Sequence, residues 1–164
     1  MVRNILNRFL HKIAYFGPGG GNFRPWLHRK RGVSIGKNVW ISQHVYIDEI
    51  HPEGVIIGDN CTIGFGTSIF SHLYWGSRKE DNKGRVVIEE NVFVGPHCVI
   101  LPNVRIGKGS VIKAGTSVTR NVPPYTFWGI PQAEVLGRVT VPLTPEYSYE
   151  EFVKGLKPIR KKKP

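Results

Sequence analysis

The chain has 164 residues, 40% of them hydrophobic, with 12 prolines and a net charge of +11; this suits one ordinary folded domain with modest extensions, and no run of about 18 apolar residues is present to cross a bilayer. Its two cysteines, Cys61 and Cys98, lack metal-type spacing, which speaks against a disulfide framework or a structural zinc site. Nor does the charge form a nucleic-acid footprint: residues 1–31 hold seven Lys/Arg and no acid, residues 154–164 hold six and none, and 32–153 sets 10 bases against 12 acids, whereas a groove binder carries its basic stripe on the folded body.

Taken in chain order, the first element is a helix. Val2, Ile5, Phe9, Ile13 and Phe16 recur at spacings of three or four with Leu6 and Leu10 beside them, while Arg3, Arg8 and Lys12 fall opposite. Two uses fit such a basic amphipathic segment: capping one end of the fold, which is the expectation, or lying on an anionic membrane surface. The segment lacks the apolar core and small-residue cleavage site of a signal peptide, so the expected location is the cytoplasm, with the inner face of the membrane as the place of any peripheral contact. Residues 1–32 are read as this helix and a linker.

From residue 33 a period of six takes over. Ile or Val stands at 35, 41 and 47, at 57, 63 and 69, and at 88, 94, 100, 106, 112 and 118. Four residues after most of these comes a small or β-branched residue (Val39, Val45, Cys61, Thr67, Val92, Cys98, Val104, Ser110, Thr116, Val122), and glycine follows directly at Gly36, Gly58, Gly64, Gly95 and Gly107. Six residues therefore read as one short strand and one corner. That period is too short for a helical repeat and too regular for hairpins, so the strands must wind as faces of a prism, three hexads to a coil. The expected fold is all-β, a parallel β-helix of about four coils over 33–140. Each inward aliphatic is core, worth ~1.5–3 kcal/mol before chain entropy is subtracted. Cys61 and Cys98 fall in the small inward column and read as compact hydrophobes rather than nucleophiles. Handedness does not follow from the period.

Two interruptions break the hexads. Ile47 and Ile57 are ten residues apart, across a segment with Asp48, Glu49, His51 and Pro52 that reads as a bulge. Between Ile69 and Ile88 the register slips by one, and the polar stretch 74–86 reads as an excursion from the prism. In the last part, 141–164, Thr144 followed by Pro145 and Glu146 reads as the N-cap of a short C-terminal helix reaching about Gly155, and Arg160–Lys163 as a solvated basic tail.

The stretch VIEENVFVGPHCVILPNVRIGKGSVIKAGTSVTRNVPPYTFWGIP, from Val87 to Pro131, resembles the hexapeptide-repeat acyltransferases, and Val33–Arg138 as a whole is similar to the branch holding galactoside, maltose and polysaccharide O-acetyltransferases. The opening, with GPGG and RPWLHRKRGVSIGKNVWIS, looks like the polysaccharide and lipopolysaccharide members. The resemblance implies a left-handed coil, a homotrimer, acetyl-CoA as cosubstrate in a groove between adjacent prisms, a loop over the site, a sugar acceptor and no metal.

Transfer of acetyl from a thioester to a hydroxyl needs a base near the alcohol and donors for the carbonyl oxyanion. By resemblance the base is His72, where the prism gives way to the loop; a histidine with an ordinary pKa near ~6.5 suits the task. His44, Trp75 and Phe93 are assigned to the acceptor side by the same match, His44 and Phe93 having a plain surface role as their alternative. Cofactor contacts fall on Gly95, Pro96, Ala114, Gly115, Thr119, Arg120 and Arg138: small residues let a pantetheine arm approach the backbone, and arginine answers phosphate charge. His97, His11, His28 and His51 are read as surface residues, and none forms a metal cluster. The expected activity is O-acetylation of a sugar or a polysaccharide precursor; N-acetylation of an amino sugar is the enzymatic competitor and a non-catalytic scaffold the non-enzymatic one.

Overall fold

The computed structural model describes residues 2–73, 84–131, 135, 137–142 and 144–158. Twelve short strands wind as four coils: β1 (Ser34–Ile35), β2 (Trp40–Ile41) and β3 (Tyr46–Ile47); β4 (Val55–Ile57), β5 (Thr62–Ile63) and β6 (Ser68–Ile69); β7 (Val86–Ile88), β8 (Phe93–Val94) and β9 (Val99–Ile100); β10 (Val104–Ile106), β11 (Val111–Ile112) and β12 (Ser117–Val118). A further strand, β13 (Phe127–Trp128), and a bridge from Val122 to Ile106 begin a fifth turn. Every third strand stacks in parallel, giving three faces: β1-β4-β7-β10, β2-β5-β8-β11-β13 and β3-β6-β9-β12. The fold is a left-handed parallel β-helix, as the hexads and the resemblance together lead one to expect.

The register puts one aliphatic above another. Ile47 pairs with Ile69, Ile69 with Ile100 and Ile100 with Val118, and eleven of the twelve hexad aliphatics are buried, only Ile35 in the first strand being partly exposed. The second column, from Val39 to Val122, is buried throughout. Both free cysteines lie in it, and burial pushes each thiol up from its ordinary range.

Nine corners are made by a third column three residues after the aliphatic, those after Ile47, Ile69 and Val118 being the exceptions. Asn38, His44, Asn60, Gly66, Asn91, His97, Asn103, Gly109 and Gly115 all have φ between 54° and 71°, the left-handed region that glycine and asparagine enter at least cost. Asn38 donates to the side-chain oxygen of Asn60, and Asn60 to that of Asn91, each at 3.2 Å.

The amino-terminal end is closed by two helices, α1 (Val2–Phe16) and α2 (Phe23–Lys30), the second lying in what the sequence suggests is a linker. Gly20 lets the Trp40 ring lie against the backbone, a Cβ there falling 2.6 Å from it. Arg24 fastens the turn by donating to the carbonyls of Ile41 (2.7 Å) and Gly17 (2.5 Å). Capping is thus observed, through an unexpected face: α1 packs with His11 and Ala14, while Ile5, Leu6, Phe9 and Phe16 stay exposed. His11 and His28, read from sequence as surface residues, are 4% and 0% exposed, because both fill the joint between the helices and the first coil.

Residues 131–164 form a second compact unit. In it β14 (Gly137–Val139) pairs antiparallel with β15 (Leu156–Pro158), and α3 (Tyr149–Gly155) starts later than expected. Ser148, not Thr144, is the N-cap, in a reciprocal capping box with Glu151; the Thr144 hydroxyl is spent on Glu146 at 2.8 Å.

Candidate active site

Both interruptions of the hexads fall at the same corner, between the β3-β6-β9-β12 face and the β1-β4-β7-β10 face. Because Ile47 and Ile69 are stacked partners, the residues just past them are stacked too. The bulge supplies Asp48, and the edge above it supplies Ser71 and His72. His72 Nδ1 lies 2.5 Å from Asp48 Oδ2. The same oxygen accepts the backbone N–H groups of Ser71 (2.8 Å) and His72 (3.1 Å), while Oδ1 accepts those of Ile50 (2.8 Å) and His51 (3.0 Å).

Asp48 is fully buried and His72 is 6% exposed. Burial alone would raise the Asp48 carboxyl, but the N–H groups of His51 and Ser71, the His72 ring and the N–H of Ile50 together hold it below the usual carboxylate range. An ionised Asp48 accepts a proton-bearing Nδ1, which fixes the ring orientation and makes Nε2, the opposite nitrogen, the one that can accept a proton in the neutral ring. Asp48, read in the sequence only as part of a bulge, is therefore the residue that positions His72.

Beneath the pair lies a buried cation. Arg31 donates to the carbonyls of Ile47 (2.8 Å) and Asp48 (2.7 Å), to Asn7 Oδ1 (2.8 Å) and to His28 Nδ1 (2.8 Å), so it ties both helices to the Asp48–His72 corner. Burial lowers its pKa to about 10, with Glu49, Tyr46 and Asp48 opposing. A groove of about 490 Å³ runs between α1 and the β3-β6 face, lined by Lys12, Tyr15, Phe16, Tyr46, Glu49 and Phe70 among others. A smaller cavity of about 230 Å³ is walled by His51, Gly54, Gly84 and Arg85, and the His51 ring centre is 6.3 Å from that of His72.

The other expected site residues divide between two edges. Thr119 and Arg120 follow β12 and share the His72 edge, two coils on; the Arg120 guanidinium lies 5.2 Å over the Trp128 ring. His44, Gly95, Pro96, Ala114 and Gly115 share the next edge, between the β2-β5-β8-β11 and β3-β6-β9-β12 faces. There His44 is a left-handed corner whose ring meets Tyr15, Phe16 and Phe65 at 5.0–5.5 Å between centres. His97, expected to be an outward corner, is one. Gly95 is buried, and a Cβ there would fall 2.6 Å from the Ala114 nitrogen, so its first task is to let the coils stack. Gly115 is the opposite case: exposed, with nothing within 4 Å of a would-be Cβ, which fits a thin arm passing close to the backbone. Phe93 is 46% exposed on the middle face, across the prism from the His72 edge. Trp75 lies outside the described residues. Arg138 sits on β14 in the second unit.

Comparison with known proteins agrees. Residues 32–71 match the family "Hexapeptide repeat of succinyl-transferase" and 85–120 match "Bacterial transferase hexapeptide (six repeats)". YvoF of Bacillus subtilis (strain 168), named as an acetyltransferase, is 35% identical over 129 residues, covering 78% of this chain and 73% of YvoF. The chain belongs to the hexapeptide-repeat acetyltransferases. Within that family a serine acetyltransferase of B. subtilis (strain 168) is 33% identical over 67% of this chain; the chain spans about half of it, 48%. Among solved structures, the acetyltransferase VCA0836 of Vibrio cholerae, complexed with acetyl-CoA, superposes with a TM-score of 0.59 at 22% identity, covering 75% of this chain and 79% of its own. A galactoside acetyltransferase in complex with coenzyme A gives 0.55 at 23%, covering 75% and 74%. These two share the acetyltransferase β-helix, the fold that carries the Asp48–His72 corner.

Proposed function

We propose that this acetyltransferase moves an acetyl group from acetyl-CoA directly to a hydroxyl of a sugar or a polysaccharide precursor, with His72 as general base and Asp48 as its positioning residue. The observation that carries this reading is the 2.5 Å Asp48–His72 pair. A neutral amine needs little help to attack a thioester, whereas a hydroxyl must lose its proton as it attacks, and a carboxylate-held imidazole is built for that step. His72 Nε2 takes the proton as the acceptor oxygen bonds to the thioester carbon. The Asp48 carboxylate steadies the imidazolium so formed, and His72 returns the proton to the departing sulfur as the C–S bond breaks, leaving an acetyl ester and a free thiol.

The assembly we infer is a homotrimer. Within one chain the open Gly115 edge and the His72 edge lie on opposite sides of the β3-β6-β9-β12 face, so a groove using both chemistries is made when the Gly115 edge of one prism meets the His72 edge of its neighbour. The residues fit the donor: Ala114 and Gly115 leave room for a narrow arm, and Arg120 offers a guanidinium at the rim. The cytoplasm is the setting we propose for the reaction. A second reading follows from the 33% identity to a serine acetyltransferase, namely a small hydroxyl-bearing amino acid as acceptor.

Free-thiol release from acetyl-CoA, tested with hexoses, amino sugars, nucleotide sugars and L-serine, decides between them. A sugar hydroxyl that drives release, with loss of at least ~100-fold in His72→Ala, supports the reading. Turnover confined to L-serine transfers the acceptor to the second one, turnover confined to amines overturns hydroxyl transfer, and absence of both turnover and acetyl-CoA binding leaves a scaffold.

A further inference from the structure

The first helix caps the prism with the wrong face for a simple cap. In an amphipathic helix the apolar stripe normally faces the body it packs against. Here α1 turns His11 and Ala14 inward, with Asn7 donating to the carbonyl of Glu49 at 2.6 Å and accepting from Arg31 at 2.8 Å. Ile5, Leu6, Phe9 and Phe16 are 65%, 55%, 60% and 66% exposed. Ile5, Leu6 and Phe9 fall on one side of the helix, away from the prism, while Phe16 at its end reaches the His44 ring.

We propose that α1 is an interfacial anchor that lays this apolar stripe on an anionic membrane surface while its polar face stays docked on the first coil. Charge selects the occupant. Arg8 and Lys12 are exposed beside the stripe, and residues 1–31 contain seven Lys/Arg and no acid. A second copy of the same stripe would bring like charges together, whereas an anionic bilayer meets the basic residues and buries the apolar ones, the two contributions that reversible interfacial binding requires. Glu49 meets α1 on its inward side at His11, so it does not shield the outer one. Capping and membrane contact use opposite faces of one helix and hold together. No described helix is long and apolar enough to span the bilayer, so the contact is superficial. A membrane-held enzyme would meet acceptors carried on lipid, without any change in its chemistry.

The full-length protein should co-sediment with vesicles of equimolar phosphatidylglycerol and phosphatidylcholine, and at least tenfold less with pure phosphatidylcholine or at high salt. Ile5→Ser combined with Phe9→Ser should lower binding at least tenfold, and Arg8→Glu about fivefold. Because these side chains are exposed, melting temperature and thiol release with a soluble acceptor should not change. Binding that ignores lipid charge, or that survives the double substitution, overturns the proposal. So does a smaller oligomer in light scattering of the double variant, which would assign the stripe to a second copy.

Discussion

Asp48→Asn is the sharpest test of the catalytic corner. The substitution keeps volume but turns one carboxylate oxygen into an NH2 group, and every polar neighbour of Asp48 is a donor. If the NH2 turns toward the N–H groups of Ile50 and His51, two hydrogen bonds to an ionised group are lost, on the order of 3 kcal/mol, or about 10 °C in melting temperature. If it turns toward Ser71 and His72, three donors are opposed instead. His72 must then accept at Nδ1, which leaves Nε2 protonated and unable to act as base. The first arrangement removes the charge that steadies the imidazolium and the second removes the base, so kcat should fall on the order of 10²- to 10⁴-fold. The assay is thiol release below the melting point of the variant, with an acceptor that supports turnover, alongside His72→Ala and the double variant. Residues acting as one unit are non-additive, so Asp48→Asn added to His72→Ala should cost almost nothing more. A folded Asp48→Asn enzyme within about threefold of wild type, or a double variant whose losses multiply, would refute the claim that Asp48 acts through His72.

Acid should loosen the amino-terminal joint. Burial first, and Arg31 second, lower the His11 pKa from 6.5 to about 4; the unfolded chain therefore binds the extra proton as pH falls below 6.5, and His11 costs about 3 kcal/mol of stability by pH 4. His28, also lowered by burial, acts in the same direction. Melting curves across that range should show a smaller loss in His11→Gln than in wild type. The two glycines of the proposed cofactor edge should separate packing from binding: Gly95→Ala, with its Cβ 2.6 Å from the Ala114 nitrogen, should lower stability by roughly 1–3 kcal/mol. Gly115→Asn places a side chain in open space at a φ of +71° that asparagine tolerates, so it should raise KM for acetyl-CoA with little change in melting temperature. Cys61 and Cys98, 1% and 0% exposed, should react with thiol reagents only after denaturation, which a colorimetric titration with and without denaturant will read.

The prism was legible because its information is periodic and local. An inward aliphatic every six residues, with a small residue two places before the next, states the strand, the corner and the coil without reference to anything distant. The amino-terminal joint was not legible for the opposite reason. What buries His11 and His28 is the joint between the two helices and the first coil, where His11 meets Tyr46 and Glu49, residues far along the chain, and propensity carries no trace of that meeting. The same holds for α1: its apolar stripe says that it is amphipathic, and only the polar contacts of Asn7 and His11 say which face is inward.

Asp48 falls between these cases, since its role follows from the period once hexads are compared with those a coil away. Three hexads make a coil, so Ile47 stands under Ile69, and each of the two breaks in the repeat begins directly after one of those residues. Insertions one coil apart must emerge from the same edge of the prism, which puts an acid that follows the lower aliphatic within reach of a histidine three residues past the upper one. An insertion that merely relieved a tight corner would have no reason to recur in adjacent coils at one edge, while the corner between β9 (Val99–Ile100) and β10 (Val104–Ile106) keeps its six-residue spacing. The paired breaks are the price of leaving the repeat to place Asp48 and His72 side by side, and that makes the irregularity of the sequence, more than its regularity, the part that points to the proposed chemistry.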